Sequence, residues 1–213
     1  MAAGTNTELR SDDAMQRQIQ TQKTRQRIIE TAKKLFSGDS YSQVTMRRIA
    51  EESGLGLGTF YQHFRSKRDI LLELTAQLNE EIADRLDAQP DWESLAAPEQ
   101  YLRFVEIYCG VLRCYRGIET AFIQGILEEE VSGQTIPGIR RMLARLEQIC
   151  DQGVACGAFH PLIPTEAFVR QYLITAFGSA FYRHIKCIEE ETQVRETLEN
   201  ALGRLLPLLI GVK

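Results

Sequence analysis

The apolar positions Ile28, Ile29, Ala32, Leu35 and Phe36 recur at i, i+1, i+4, i+7 and i+8. That spacing is one stripe of an α-helix over residues ~17–37, and Gly38 is placed to end it. Residues 1 to about 14 show no such period, so residues 1–16 are expected to form a flexible tail. Thr45 precedes Met46, Ile49 and Ala50, again at helical spacing. Its hydroxyl can accept an orphan backbone N–H, which makes it an N-cap. The third residue beyond it is Arg48, so no acidic capping box forms there. Gly54 stops this short helix, and Leu57, Phe60, Tyr61 and Phe64 fit one face of a second. Ser66-Lys67-Arg68-Asp69 has the capping-box form S-x-x-D. A long helix is predicted to follow, with Ile70, Leu71, Leu74, Leu78, Ile82 and Leu86 on one side and Pro90 beyond its end.

The rest of the chain repeats the pattern. Helices are predicted over about 99–114 and 118–130. Another opens near Pro137 and carries Met142, Leu143, Leu146 and Ile149. Pro164 and Thr165 open a long one, and a last one carries Val194, Leu198, Ala201, Leu202 and Leu205, with Pro207 interrupting or ending it. No alternating strand and no internal repeat is found. The predicted fold is all-α, with roughly nine or ten helices.

Composition narrows the function classes. The 213 residues are 44% hydrophobic and 25% charged, an ordinary globular balance of one to two domains. That excludes disordered, collagen-like and disulfide-stapled chains. No apolar run approaches the ~20 residues that span a bilayer, and the polar N-terminal segment has no signal-like apolar core. A cytoplasmic location without membrane association is expected. Five cysteines, an odd number, are irregularly spaced without a CxxC pair, and the three histidines lie far apart. No metal site and no cofactor are expected.

Charge is uneven. Residues 1–16 carry one Arg against three acids, a net of -2. Residues 17–68 carry eleven Lys and Arg against four acids, a net of +7, and residues 69–213 carry thirteen against twenty-two, a net of -9. A basic quarter followed by an acidic remainder separates two jobs, one of them compatible with a polyanion. Two short helices across a tight turn at Gly54, inside the basic segment, fit a helix-turn-helix, whose second helix enters a major groove ~12 Å wide. The helix over ~17–37 completes a small core from Ile28, Ala32, Phe36, Ile49, Leu55 and Phe60, and residues ~57–63 are the expected reader.

The segments T-R-Q-R-I-I-E-T-A-K-K-L-F, V-T-M-R-R-I-A-E-E-S-G-L and G-T-F-Y-Q-H-F-R-S-K-R-D-I-L between Thr24 and Leu74 resemble the DNA-binding domain of the tetracycline-repressor (TetR) family. The resemblance implies a helix-turn-helix domain at 17–66 and an all-helical effector-binding and dimerisation domain at 67–213. It also implies phosphate contacts from Thr45, Thr59, Tyr61, His63 and Lys67. Arg47 and Arg48 are candidate DNA contacts from charge and position. Gly56-Leu57 departs from the Ser-Lys common at that place in the family, so Leu57 either meets a thymine methyl or faces the core.

In the acidic part, Phe168, Tyr172, Ala176 and Ala180 are spaced by four, with Gly178 and Ser179 allowing close approach. With Leu198, Leu202 and Leu205 they are the candidate dimer face; in the family the last two long helices pair about a twofold axis. Trp92, Tyr101, Phe104, Tyr108, Cys109, Phe122 and Met142 are candidate pocket residues for a hydrophobic or amphipathic effector. The resemblance implies a homodimeric, ligand-responsive regulator, a repressor on a palindromic double-stranded DNA operator, released by its effector. The alternatives are a redox sensor using Cys109, Cys114, Cys150 or Cys156, and a DNA-binding interaction protein without an effector. An all-α enzyme fits least. No nucleophile elbow and no carboxylate pair with a histidine is present, and Gly54, Gly56 and Gly58 neither follow a strand nor precede a P-loop Lys.

Overall fold

The computed structural model describes residues 5–115, 117–118, 121–122, 138–186 and 198–210, with the side chains of 5–14 and 180–186 excepted. It is all-helical, and no strand occurs among the described residues. The chain divides into two compact units, Met1–Leu71 and Leu72–Lys213.

The first unit holds α1 (Thr5–Gly38), α2 (Met46–Glu52), α3 (Leu57–His63) and the start of α4 (Lys67–Asp87). α1 begins at Thr5, well before the expected boundary at residue 17. The early part has good helix formers but no apolar stripe, and Met15 and Ile19 on it are exposed. From Ile28 onward the predicted stripe is realised: Ile28, Ile29, Ala32, Leu35 and Phe36 are buried with Ile49, Ala50 and Phe60. Leu55 is only half-buried.

The turn between α2 and α3 is set by backbone chemistry. Gly54 sits at φ 66, left-handed space that favours glycine. Its N–H donates to the Glu51 carbonyl and the Leu55 N–H to the Ala50 carbonyl, each at 3.0 Å. This 5→2 and 6→1 pair is the Schellman arrangement, which satisfies the last carbonyls of α2 while reversing the chain. The capping box predicted for α4 also forms: Asp69 N–H donates to Ser66 Oγ and Ser66 N–H to Asp69 Oδ2, both at 3.1 Å.

The second unit continues α4 from Leu72. A 3-10 turn (Trp92–Ser94) follows, then α5 (Ala97–Cys114), α6 (Ile139–Ala155), α7 (Thr165–Lys186), helical residues 198–203, and α8 (Leu206–Ile210). Pro207 lies in the first turn of α8, after a turn at 204–205 that breaks the last predicted helix. Pro137, Val194 and most of the helix predicted over 118–130 fall outside the described residues. The core is aromatic. The edge of Tyr101 meets Phe168 at 5.7 Å and Phe104 meets Tyr172 at 5.6 Å between ring centroids. The Tyr101 hydroxyl donates to the Leu202 carbonyl at 2.6 Å, which ties α5 to the C-terminal helix.

α6 begins on α4. Gly138, its N-cap, has φ 74, and a Cβ there would lie 2.9 Å from the Ala76 carbonyl oxygen. Only glycine permits that conformation at that distance without a shift. One turn on, Arg141 donates to Glu80 at 2.9 Å, to Asp84 at 2.7 Å and to Asp87 at 2.5 Å, and Arg145 pairs with Asp87 at 3.0 Å.

Candidate functional site

The N-terminal unit presents one exposed face on α3. The stripe Leu57, Phe60, Tyr61, Phe64 does not act as one face: Phe60 and Phe64 are buried, whereas Leu57 is 42% and Tyr61 49% exposed. On a two-turn helix the i, i+4 pair Phe60/Phe64 anchors, and the pair Leu57/Tyr61, about 100° around, turns outward. The core alternative for Leu57 therefore does not hold. Thr59 is exposed on the same short helix, and Gly56 caps it without a side-chain bond. A Cβ at Gly56 or Gly58 would meet nothing within 4 Å, so these glycines keep the start of α3 low and open. The Tyr61 ring leans edge-on against Phe60 at 5.9 Å, which orients it from below.

The neighbouring candidates are held by partners of their own. Thr45 Oγ1 accepts from the Arg48 N–H at 3.1 Å, the predicted cap. Arg47 pairs with Glu51 at 2.8 Å, and Arg48 with Asp39 at 2.8 Å and Glu52 at 3.0 Å. Hydrogen bonding to Glu51 and to Glu52, respectively, raises the pKa of each guanidinium above its ordinary value. Lys67 donates from Nζ to the Tyr41 carbonyl at 2.6 Å and lies 3.9 Å over the Tyr41 ring. It pins the loop before α2 to the start of α4.

His63 is half-buried at the end of α3, and its carbonyl accepts from Arg25 Nη1 at 2.9 Å. The Arg25 guanidinium also covers the Phe64 ring at 4.1 Å. A cation on the carbonyl end of the reader helix stabilises it electrostatically and fixes where it ends. From sequence, Arg25 reads as solvated charge or, with Arg17 and Lys23, as an arm toward the minor groove, and not as a brace of α3. The single available signal was its place on the helical stripe next to Ile28 and Ile29, because its partner lies 38 residues away.

In the second unit a cleft of about 560 Å³, counting the part open to solvent, lies among α4, α5, α6 and α7. Of the seven candidate pocket residues, Tyr108, Phe122 and Met142 line it. Trp92, Tyr101, Phe104 and Cys109 are buried in the packed core instead and do not line it. The lining residues missed by sequence reading include Thr75, Leu78 and Asn79 of α4 and Leu173 of α7. Periodicity marked Leu78 as apolar but gave no means of telling wall from core.

The candidate dimer stripe also turns inward. Phe168, Tyr172, Ala176, Leu198, Leu202 and Leu205 are all buried within the unit. The side chain of Ala180 lies outside the described residues. Spacing by four defines a stripe but not its direction, and here the aromatic members pack on α5. Among the described side chains of α7, Ile174 and Phe177 are the exposed large apolar ones, and Phe177 also lines the cleft.

Cys109 and Cys150 are buried and Cys114 and Cys156 exposed, all as free thiols. Burial pushes the Cys150 thiol up to about 12, which keeps it protonated and unreactive. Cys187 lies outside the described residues. No helix among the described residues is long and apolar enough to cross a membrane.

A two-helix motif across a Schellman turn, with the second helix exposing polar and aromatic tips, defines the first unit as a helix-turn-helix nucleic-acid binder. Residues 28–74 match the family described as bacterial regulatory proteins, tetR family, so this segment is similar to the members of that family. An HTH-type transcriptional regulator of Staphylococcus aureus (strain USA300) is 50% identical over 46 residues, 22% of this chain and 25% of that protein. The match thus spans about a quarter of the length of these curated relatives. Among solved structures, the fatty acid degradation regulator FadR of Bacillus halodurans is similar with a TM-score of 0.65 at 18% identity, over 86% of this chain and 94% of that one. FadR of Bacillus subtilis in complex with stearoyl-CoA has a TM-score of 0.63 at 18% identity, over 88% and 99%. These likenesses show the fold over the part of the chain they cover: an N-terminal helix-turn-helix unit followed by a helical one.

Proposed function

We propose that the protein is a ligand-responsive transcriptional regulator, a repressor that binds a palindromic operator as a homodimer and leaves it when a small hydrophobic or amphipathic effector occupies the second unit. The observation that carries the DNA half is the outward set Leu57, Thr59 and Tyr61 on a helix braced by Phe60, Phe64 and Arg25. Thr59, Tyr61, His63 and Lys67 contact phosphate and set the register, Gly56 admits close backbone approach, and Leu57 meets base edges. Thr45 supports the fold of α2 and reaches phosphate from its first turn. Arg47 and Arg48 join by exchanging their glutamate partners for phosphate.

One reader helix spans too few base pairs for an operator. A twofold pair reads half-sites ~34–36 Å apart. Because the predicted stripe is internal, we place the dimer contact on the outer side of α7, at Ile174. The cleft supports the effector half, as does the stearoyl-CoA complex of the Bacillus subtilis neighbour, in which a chain of similar fold holds an acyl ligand. A ligand shifts the DNA-binding equilibrium only by its differential affinity for the two states.

The test is selection of duplexes from a random pool, followed by fluorescence anisotropy on the enriched sequence across salt. Lys67→Ala is expected to lower the salt slope by about 1, and Tyr61→Phe to weaken binding by roughly tenfold with the slope unchanged. Failure to enrich any sequence refutes the regulator.

A further inference from the structure

We propose that the exposed N-terminal stretch of α1 is a second DNA-contacting surface, in which Arg17, Gln18, Thr21 and Gln22 hold the phosphate strand that runs past the end of the reader helix. This rests on the reading of the first unit as an operator-binding helix-turn-helix and adds a contact outside that motif.

Its first support is where α1 touches α3. Arg25 donates to the His63 carbonyl at 2.9 Å and covers the Phe64 ring at 4.1 Å. The side of α1 that carries Arg25 therefore faces the end of α3. At about 100° per residue, Gln18 falls within about 20° of Arg25 around the helix, Thr21 within about 40°, Gln22 within about 60° and Arg17 within about 80°. The same side thus continues past α3, and there it is bare: residues 15–23 are exposed throughout. From Arg25 back to Arg17 the overhang measures about 12 Å along the helix axis, the length of about three or four base steps at ~3.4 Å each.

The chemistry of that side fits a polyanion. From Ala14 to Ile29 the sequence has no Asp or Glu and holds Arg17, Lys23, Arg25 and Arg27 among five glutamines. Arg, Gln and Thr side chains donate to phosphate without reading sequence. In the operator reading His63 and Lys67 touch phosphate close to the end of α3, so the same strand passes where the bare stripe begins. An α-helix about 10 Å across cannot enter a minor groove of ~6 Å. The stripe therefore meets the backbone from outside. The acids of the N-terminal segment begin beyond it, at Asp13, which confines the contact to residues 15–25. A helix exposed on every side gains little from packing, and a phosphate strand along one side supplies that stretch with a partner.

The experiment compares two pairs of glutamines with the same i, i+4 spacing. Gln18 and Gln22 lie on the Arg25 side, whereas Gln16 and Gln20 stand about 140–180° away from it. Each pair changed to glutamate adds the same charge and the same repulsion within the helix, so only the side differs. The full-length wild type, Gln18→Glu/Gln22→Glu and Gln16→Glu/Gln20→Glu are titrated by fluorescence anisotropy against a mixed-sequence duplex of about 40 base pairs and against the enriched operator, from about 0.1 M salt upward. The expected result is at least about fivefold weaker binding to both duplexes for the Gln18/Gln22 variant, shrinking as salt rises, and less than about twofold for the Gln16/Gln20 variant. Arg17→Gln lowers the salt slope by about 1. Amide hydrogen exchange in residues 15–24 of the wild type slows when duplex is added. Equal penalties from the two pairs overturn the assigned side. No penalty from either pair, with operator binding intact, overturns the contact and leaves the helix-turn-helix reading standing. Binding of no duplex by the wild type removes that reading and this contact together.

Discussion

The two units use the apolar stripes of their helices to opposite ends. The first buries Phe60 and Phe64 so that Leu57 and Tyr61, their neighbours on α3, stay outside. The second turns Phe168, Tyr172 and Ala176 inward and leaves its unfilled space among its helices. An outward site must fit a target of fixed geometry, a groove of ~12 Å between regularly spaced phosphates. Its residue types and spacing are correspondingly constrained. An inward site must only leave room, and many combinations of apolar residues do so. The comparisons divide the same way. A half-identical match extends over 46 residues, whereas over most of the chain the solved structures agree in fold at 18% identity.

That contrast is broken most forcefully at Gly138. Gly138→Ala puts a Cβ 2.9 Å from the Ala76 carbonyl and adds a left-handed backbone cost. The two effects together destabilise the second unit by about 2–4 kcal/mol. Trp92, the single tryptophan, belongs to this unit and reports it. Its fluorescence transition in urea should move to lower denaturant by that amount. A transition unmoved by this substitution would mean that the α4–α6 seam is not as tight as the geometry shows.

Legibility from sequence followed the same divide. Caps and turns were readable because they depend on neighbours: Thr45, Gly54 and the Ser66/Asp69 box all formed as their spacing requires. The all-helical class was readable because period 3.6 persisted along the chain. Contacts between distant segments were not. Lys67 reaches Tyr41 and Arg25 reaches the His63 carbonyl through tertiary placement that no local rule encodes. The direction of the candidate dimer stripe was not legible for a related reason. An apolar stripe states that a face is covered, but not whether the cover is the same chain or another. Tyr101 and Tyr108 are a helical period of seven apart on one helix, yet one is tied to Leu202 in the core and the other lines the cleft.

A smaller effect sharpens the same distinction from the other unit. Gly54→Ala meets no atom within 4 Å, so its cost is the left-handed backbone alone, about 1–2 kcal/mol. Thr45→Ala removes the cap on the Arg48 N–H and costs about 1 kcal/mol. Both are expected to reduce amide hydrogen-exchange protection in α2 and α3 by the corresponding factors. If each unit opens separately, the Trp92 transition stays where it is. Loss of protection spread evenly through α5 and α6 would show instead that the units open together.

The least disruptive test concerns the carboxylates that hold Arg141. The Asp87 pKa lies below its ordinary value, chiefly through the hydrogen bond from Arg141, with Arg145 adding attraction and partial burial opposing. A carboxyl whose folded value is depressed stabilises the fold above its unfolded pKa of about 3.9, and loses that contribution as pH falls through the lower folded value. The effect on stability is therefore confined to acid and is small, because the pair is largely exposed and screened by solvent and salt. Carbon-detected NMR titration of Asp87 reads it directly. The midpoint should lie below 3.9 in the native chain and rise in Arg141→Met, more so at low than at high salt. An Asp87 that titrates identically in both proteins would leave the α4–α6 seam resting on Gly138, on the pairs of Arg141 with Glu80 and Asp84, and on apolar packing.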